Sequence, residues 1–183
     1  MLRASETAIL DCEELELARA DMTPEQYAQE FECSFDAAII GAYYGREIAE
    51  AERAGRITTV AVDESLPVHT AWDLGIGDST AIWLFQIAHD GLRVVGHIED
   101  SGKALPHYVK ALNATGYTFG HDFVPHDAKV RELGTGRTRV ETLISLGRKP
   151  RLVADHKVDD GINALRVMFS RIWWDKDACS AGI

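Results

Sequence analysis

The first part of the chain carries apolar residues at helical spacing, set between helix-start and helix-end signals. Thr23, followed by a proline, predicts the start of a helix over 22–35. Asp36 is placed to cap a second helix over 37–54, and Gly55 is placed to end it. The apolar side chains of that second helix repeat every three or four residues, so one face can pack against a larger body.

From residue 57 onward, short apolar runs typical of strands alternate with helical patterns. Runs rich in β-branched and aromatic residues predict five strands, over 68–74, 80–88, 92–98, 119–124 and 151–154. Helical spacing predicts helices over 105–114, 138–146 and 159–174. The order of these elements predicts an α/β fold with a mixed central sheet of about five strands, the first three antiparallel, flanked by helices.

Charge is unevenly distributed and separates the two parts. Residues 1–65 carry fifteen acidic and five basic residues, which accounts for the whole net charge of −10. We therefore predict an acidic helical linker or flanking segment over 1–56 and a separate domain over 57–183. No apolar run reaches the ~18 residues of a membrane span, and acidic residues stand where a signal peptide has its apolar core, so we expect a cytoplasmic location and no membrane partner. The cysteines form no C-x-x-C pair and are expected to be reduced thiols: Cys12, Cys33 and Cys179.

The second part contains a basic stretch over 129–157. Eight basic residues stand there against three acidic ones. Such an excess can hold a phosphate backbone, and it fits a solvated surface equally well. The basic residues are Lys129, Arg131, Arg137, Arg139, Arg148, Lys149, Arg151 and Lys157.

Acidic residues also fall where a strand ends or a helix begins. Asp73 lies at the end of the first strand, Asp127 follows the strand over 119–124, and Asp159 and Asp160 begin the last helix. Carboxylate oxygens suit Mg²⁺ and Mn²⁺, and two such ions about 3.5–4 Å apart can hydrolyse a phosphodiester. If these side chains converge, the sequence predicts a two-metal nuclease site with Asp73 as its most rigidly held ligand.

Each acidic residue also has a purely structural explanation. Asp73 can be a strand-end residue that enters a turn, Asp127 can cap the next segment, and the pair at the start of the last helix can satisfy exposed amides. Asp78 can make an Asx turn, or it can orient water or the first ligand. His126 adjoins the proposed site, although a single histidine is more often structural than catalytic.

Five segments, in their order along the chain, carry a resemblance to a known family. They are QEFECSF, GAYYGREI, AWDLGIGDSTAIWLFQ, FVPHDAKVRELGTGRTRVETLISLG and VDDGINALRVMFSRIWWD, the last followed by Cys179. Over residues 31–183 the chain resembles the nuclease domain of the phage terminase large subunit, the DNA-packaging motor protein. The resemblance implies a ribonuclease H-like fold.

It also implies a function, a site and a set of partners. The implied activity is a metal-dependent endonuclease that cuts concatemeric double-stranded viral DNA at the start and end of head filling. Asp73, Asp127 and Asp160 take the three catalytic, metal-binding positions, with Asp159 as an alternative or additional ligand, and two Mg²⁺ or Mn²⁺ ions are implied. DNA binding is implied for Lys129, Arg131, Arg137, Arg139 and Lys157. The implied partners are double-stranded DNA, the terminase ATPase domain, the small terminase subunit and the portal.

The chain departs from the family's full pattern in one respect. The phosphate loop G-x-x-x-x-G-K-[ST] of the ATPase is missing, because the segment over 134–137 is too short and has no lysine. We therefore do not expect this chain to move DNA unaided. Two other functions fit parts of it. The segment DLGIGDST resembles the phosphate-binding hairpin of actin-like ATPases and sugar kinases, which need a second lobe, and an isolated domain can also be a non-catalytic docking module for the motor.

Overall fold

The computed structural model describes residues 42–75, 79–131 and 136–183. The chain divides into two compact units, Met1–Ala54 and Gly55–Ile183. A division at 56/57, as set by the charge distribution, stays a prediction. None of the helices in the described part has the length and apolar character that crossing a membrane requires.

In the first unit the described residues contain helix α1, Gly45–Arg53. The helix ends at Ala54, and the following Gly55 has φ 67°, a left-handed conformation that glycine adopts readily. The predicted helix end is therefore confirmed. Residues 42–44 are not helical, so α1 begins later than the predicted helix over 37–54. The predicted helix over 22–35 lies outside the described residues.

The second unit is built around a sheet that, within the described residues, has seven strands in the order β1-β7-β4-β3-β2-β5-β6. The central strands β2, β3 and β4 are antiparallel to one another, and the remaining neighbours pair in parallel. The mixed sheet with an antiparallel meander is thus confirmed, with two strands more than expected. The strands are β1 Ile57–Thr58, β2 Val68–Asp73, β3 Ser79–Ala88, β4 Gly91–Ser101, β5 Phe119–Val124, β6 Pro150–Leu152 and β7 Ile172–Asp175.

Three α-helices and two short 3-10 helices complete the described part of the second unit. The helices are α2 Leu105–Ala114, α3 Arg139–Ser145 and α4 Val158–Met168, with 3-10 turns over His126–Lys129 and Phe169–Arg171. The start of α3 is fixed by a capping box, in which the Thr138 hydroxyl accepts from the Glu141 amide at 3.0 Å and the Glu141 carboxylate accepts from the Thr138 amide at 2.8 Å. This reciprocal pairing satisfies amides that the first helical turn leaves open.

The predicted helix over 159–174 is wrong in its last part. Helix α4 stops at Met168, and after one 3-10 turn the chain continues as strand β7. Phe169 and Trp173 stand at helical spacing from Ile162, which made a longer helix plausible. Strand β7 forms through distant partners, since it pairs in parallel with both β1 and β4.

Each face of the sheet carries its own apolar cluster. On one face Val68 and Trp72 of β2 join Ile82 and Leu84 of β3 in the larger cluster, under buried side chains of α2 and α3. We call the other face the Asp73 face, because successive strand residues point to opposite sides and Asp73 alternates with Trp72. There a smaller cluster contains Val94, Ile172 and Cys179, with Leu165 of α4 packed against it. Helix α4 therefore lies on the Asp73 face.

A buried ion pair joins β5 to the segment that leads into β6. Arg148 Nε donates to both carboxylate oxygens of Asp122 at 3.2 Å, and its Nη2 also donates to Oδ1. Thr70 Oγ1 donates to Asp122 Oδ1 at 2.6 Å, and the Lys149 amide donates to Oδ2 at 3.0 Å. Trp72 Nε1 in turn donates to Thr70 Oγ1 at 2.7 Å. Asp122 is 0% exposed and fully hydrogen-bonded, as a buried charge must be.

Candidate functional site

Three parallel strands end at the same edge of the sheet. Strand β2 pairs in parallel with β5, with Ala71 opposite Phe123, and β5 pairs in parallel with β6, with Val124 opposite Leu152. Because the carboxyl ends of parallel neighbours lie side by side, residues that follow them meet at one edge. Two of the acids predicted from the sequence, Asp73 and Asp127, lie at the ends of the first two of these strands.

Asp73 is the last residue of β2 and is exposed. It lies in register with Ala81 of β3, on the sheet face that also carries α4. The turn that follows is tied to β3 through Thr80, which is buried and donates its hydroxyl to the Gly75 carbonyl at 3.4 Å. Asp78, the second acid of this turn, lies outside the described residues.

Asp127 lies in the 3-10 turn directly after β5, and its side chain is 53% exposed. Its Oδ2 is 3.8 Å from Nη1 of Arg139, the first residue of α3. The Arg139 side chain is only 13% exposed, and its backbone position is fixed by the capping box of α3. A residue assigned to DNA binding therefore lies beside a proposed metal ligand.

Asp159 and Asp160 both lie in the first turn of α4 and are exposed. The Asp160 amide donates to the carbonyl of Lys157, the exposed residue that precedes the helix, at 3.1 Å. Negative side chains are favoured at this end of a helix by its exposed amides. The choice between Asp159 and Asp160 as the third ligand stays a prediction.

His126 contacts an acid that the sequence analysis did not single out. Its Nδ1 is 3.7 Å from Oδ1 of Asp155, and both side chains are more than half exposed. Asp155 follows β6 as Asp127 follows β5, and this repeated strand-end position was the signal that could have identified it. Glu99 was also missed. It lies in register with Ala81, which itself pairs with Asp73, and it accepts a 2.6 Å hydrogen bond from Ser79.

Asp73 and Asp127 follow neighbouring parallel strands, but the described acidic side chains form no closed cage. Within residues 42–75, 79–131 and 136–183, no group of three or more His, Cys, Asp or Glu side chains lies close enough to hold a metal ion. Like charges repel at short range, and here Asp127 lies towards Arg139. The ligand set Asp73, Asp127 and Asp160 therefore stays a prediction.

The basic residues near this edge fall into two groups. Lys129, Arg131, Arg137 and Lys157 are exposed. Arg131 also donates to the Gly136 carbonyl at 2.7 Å, which holds the two sides of this loop together. Arg148, in contrast, is 8% exposed and committed to Asp122, so it is not available to a ligand.

Comparison with known proteins gave a clear result only at the level of structure. No family model and no curated protein sequence matches the chain. The nuclease domain of the P22 large terminase superposes with a TM-score of 0.50 and 18% identity, over 64% of this chain and 66% of that domain. The fold is that of a large-terminase nuclease domain.

The large terminase of the thermophilic bacteriophage D6E gives a similar result. It superposes with a TM-score of 0.53 and 16% identity, and its complex with ADP gives 0.53 and 19%. In both cases 68% of this chain is covered, and the match spans about a third of the D6E protein, 32% and 31% respectively. The ribonuclease H-like fold predicted from the sequence is confirmed, and the likeness concerns the large-terminase nuclease fold alone.

Proposed function

We propose that this chain is a metal-dependent endonuclease that cuts double-stranded DNA during viral genome packaging. The observation that carries the proposal is the common edge at the ends of β2 and β5. Asp73 and Asp127 lie there, and Asp160 begins the helix that packs on the Asp73 face. Hard oxygen donors from three separate elements fit the chemistry of Mg²⁺ or Mn²⁺.

Asp73, Asp127 and Asp160 would hold the metal, with Asp159 as an alternative or additional ligand. When bound, a pair of Mg²⁺ or Mn²⁺ ions would supply an activated water and stabilise the leaving oxygen. The chain's own part is to place the carboxylates. Asp73 is held by the β2–β3 ladder, and Asp127 is held by the short turn that follows β5. His126 and Asp78 are proposed as auxiliary residues that orient water or a ligand.

The DNA backbone would lie along the exposed basic residues Lys129, Arg131, Arg137 and Lys157. Their charges lie close in sequence to the proposed ligands, where a phosphate must approach an otherwise negative edge. The terminase ATPase domain, the small terminase subunit and the portal are the partners that we propose for the packaging complex.

The proposal is tested by plasmid cleavage with the full chain in Mn²⁺ or Mg²⁺. We expect nicking and linearisation that EDTA abolishes. Asp73→Asn should reduce the cleavage rate by about 10²–10⁴-fold, because metal coordination contributes several kcal/mol to transition-state stabilisation. The matched control is Asp90→Asn, since Asp90 is an exposed aspartate in the β3–β4 turn, at the opposite end of the sheet. Equal cleavage by both variants would rule out the assigned site.

A further inference from the structure

Four rings gather on the Asp73 face where β3, β2 and β5 lie side by side. The His69 ring centroid is 5.8 Å from that of Phe85, 6.0 Å from that of His121 and 6.0 Å from that of Phe123. The His69 and His121 rings are tilted by only 22°, and the Phe85 and Phe123 rings, 6.1 Å apart, by 27°. We call these four side chains the ring patch.

The ring patch is only partly covered. All four residues are half-buried. Among the described residues, Phe85 borders the smaller cluster on which α4 packs, whereas Phe123 belongs to neither core cluster. The half-buried rings leave part of their surface for another molecule.

The backbone beneath the patch leaves room for the His69 ring. A Cβ at Gly120 would lie 2.5 Å from Cε1 of His69, so any other residue there would displace that ring. The ring is also held by the His121 amide, which donates to His69 Nδ1 at 3.0 Å. Burial, followed by the charge of His121, lowers the pKa of His69 below its usual 6.5. The ring is therefore neutral at physiological pH.

A positive rim borders the patch on the edge strand. Arg151 lies in register with Phe123, so the two side chains share a face, and Lys149 precedes it by two residues. Both are exposed, whereas Arg148 between β5 and β6 turns to the buried Asp122. Two exposed cations thus lie beside the ring patch.

The patch is continuous with the candidate site. His69, Ala71 and Asp73 point to the same face of β2, and Phe123 pairs with Ala71. Two residues of a strand cover about 7 Å, so Phe123 lies about that far along the sheet from the row of Asp73. A strand of nucleic acid at the acid-bearing edge can therefore reach the rings with its next few bases.

We propose that the ring patch binds the bases of an unpaired DNA strand while Lys149 and Arg151 hold its phosphates. This inference rests on the proposed endonuclease function and adds a substrate form to it. Flat rings beside a cationic rim are the combination that binds single strands, because every base has a face that can stack and every nucleotide carries a phosphate. In a duplex the faces of the bases are stacked on one another and cannot contact the rings, so the patch distinguishes unpaired from paired DNA.

The test is binding of the full chain to labelled oligothymidylate of about 20 nucleotides, longer than the ~4–16 that such surfaces cover. Fluorescence anisotropy in EDTA keeps the DNA intact, and a duplex of equal length is measured in parallel. Phe123→Leu should weaken single-strand binding by about fivefold or more and leave duplex binding within about twofold. The matched control is Phe119→Leu, the same exchange at a half-buried phenylalanine of the same strand that packs on the larger core cluster.

A double variant and its control test the positive rim of Lys149 and Arg151. Lys149→Gln with Arg151→Gln should lower the salt slope of single-strand binding by up to about 1.4, since each phosphate that is no longer neutralised accounts for about 0.7. The control removes two exposed lysines near α2, by Lys103→Gln with Lys110→Gln, and should leave the slope unchanged.

A further variant keeps the inference testable if Phe123→Leu fails to fold. His121→Ala removes a ring of the patch and should weaken single-strand binding as Phe123→Leu does.

The outcomes separate this inference from the proposed function. The inference is overturned if the unmodified chain does not bind the single strand. It is also overturned if Phe123→Leu and Phe119→Leu weaken single-strand binding equally, or if Phe123→Leu weakens duplex and single-strand binding equally. Plasmid cleavage that persists in such a case keeps the endonuclease proposal. Selective single-strand binding without any metal-dependent cleavage would instead overturn the endonuclease proposal and leave the binding site.

Discussion

Two aspartates of the same segment, Asp122 and Asp127, lie in opposite surroundings. Asp122 is 0% exposed and accepts hydrogen bonds from Arg148, Thr70 and the Lys149 amide. Asp127, five residues later, is 53% exposed, with Arg139 at 3.8 Å. A carboxylate with every lone pair used stabilises the fold, whereas a carboxylate with open coordination can bind a ligand. The pair therefore separates structural from functional acids within one short stretch.

The largest expected effect on the free energy of unfolding is found by comparing two single variants, Asp122→Ala and Asp127→Ala. Asp122→Ala should lower the free energy of unfolding by about 3–5 kcal/mol, because it leaves the Arg148 guanidinium buried without its partner. Asp127→Ala should change it by about 0.5 kcal/mol or less, as is usual for an exposed side chain. Urea denaturation followed by circular dichroism measures both. Similar losses in the two variants would contradict the distinction between them.

A smaller effect is expected for Thr70→Val, which removes the hydroxyl between Asp122 and Trp72. Trp72 Nε1 then loses its acceptor and Asp122 loses one donor, so the free energy of unfolding should fall by about 1–3 kcal/mol. Thr80→Val is the matched control, since that buried hydroxyl makes only a 3.4 Å contact. The comparison fails if Thr80→Val costs as much as Thr70→Val in the same denaturation series.

The contact between Arg139 and Asp127 provides a further test of the difference between Asp122 and Asp127. As an ion pair with a largely exposed carboxylate, its contact with Asp127 should contribute less than about 1 kcal/mol, so Arg139→Gln should barely alter stability. If Arg139 binds DNA as predicted, Arg139→Gln should lower the salt slope of duplex binding by about 0.9. Arg137→Gln should lower it by the same amount. An unchanged slope for Arg139→Gln alone would mean that this arginine serves Asp127 and not the DNA.

The smallest effect concerns a third aspartate, Asp175 at the end of β7. Amides of Ala178, Val60 and Asp177 donate to its carboxylate and lower its pKa from 3.8. Its contribution to stability is therefore fully present above pH 3.8 and is lost as the pH falls through the lowered value. Asp175→Asn should be less stable than the unmodified chain near neutral pH, and the difference should shrink in acid. A difference independent of pH would show that these hydrogen bonds do not act through the charge.

The sequence predicted the elements whose pattern is local. Strand β5 and helix α2 have the predicted bounds, and α3 lies within the predicted helix over 138–146. Strand β7 was taken for the end of a helix, because its pairing with β4 and β1 depends on residues 80 and 117 positions away. Local periodicity carries no information on such partners.

For the candidate site, the resemblance implied that Asp73 and Asp127 end neighbouring strands, and β2 and β5 are neighbours in the sheet. Their role as metal ligands stays a prediction. The role of Asp122 was missed because its partner Arg148 stands 26 residues away and counted only as one more basic residue. Side-chain direction at an exposed edge depends on local repulsion and on neighbours such as Arg139, and sequence patterns do not encode it.

Within the described part of the chain, the sheet ends on both sides in very short strands. Strand β1 has two residues and β6 has three, and β6 begins with a proline followed by an arginine. The unpaired amides and carbonyls of an edge strand can form hydrogen bonds with strands of neighbouring copies. Short edge strands that carry proline and charge oppose this pairing. The molecule should therefore resist fibril-like association at high concentration. Lengthening β6 with alternating valines is the change most prone to convert it into an aggregating protein.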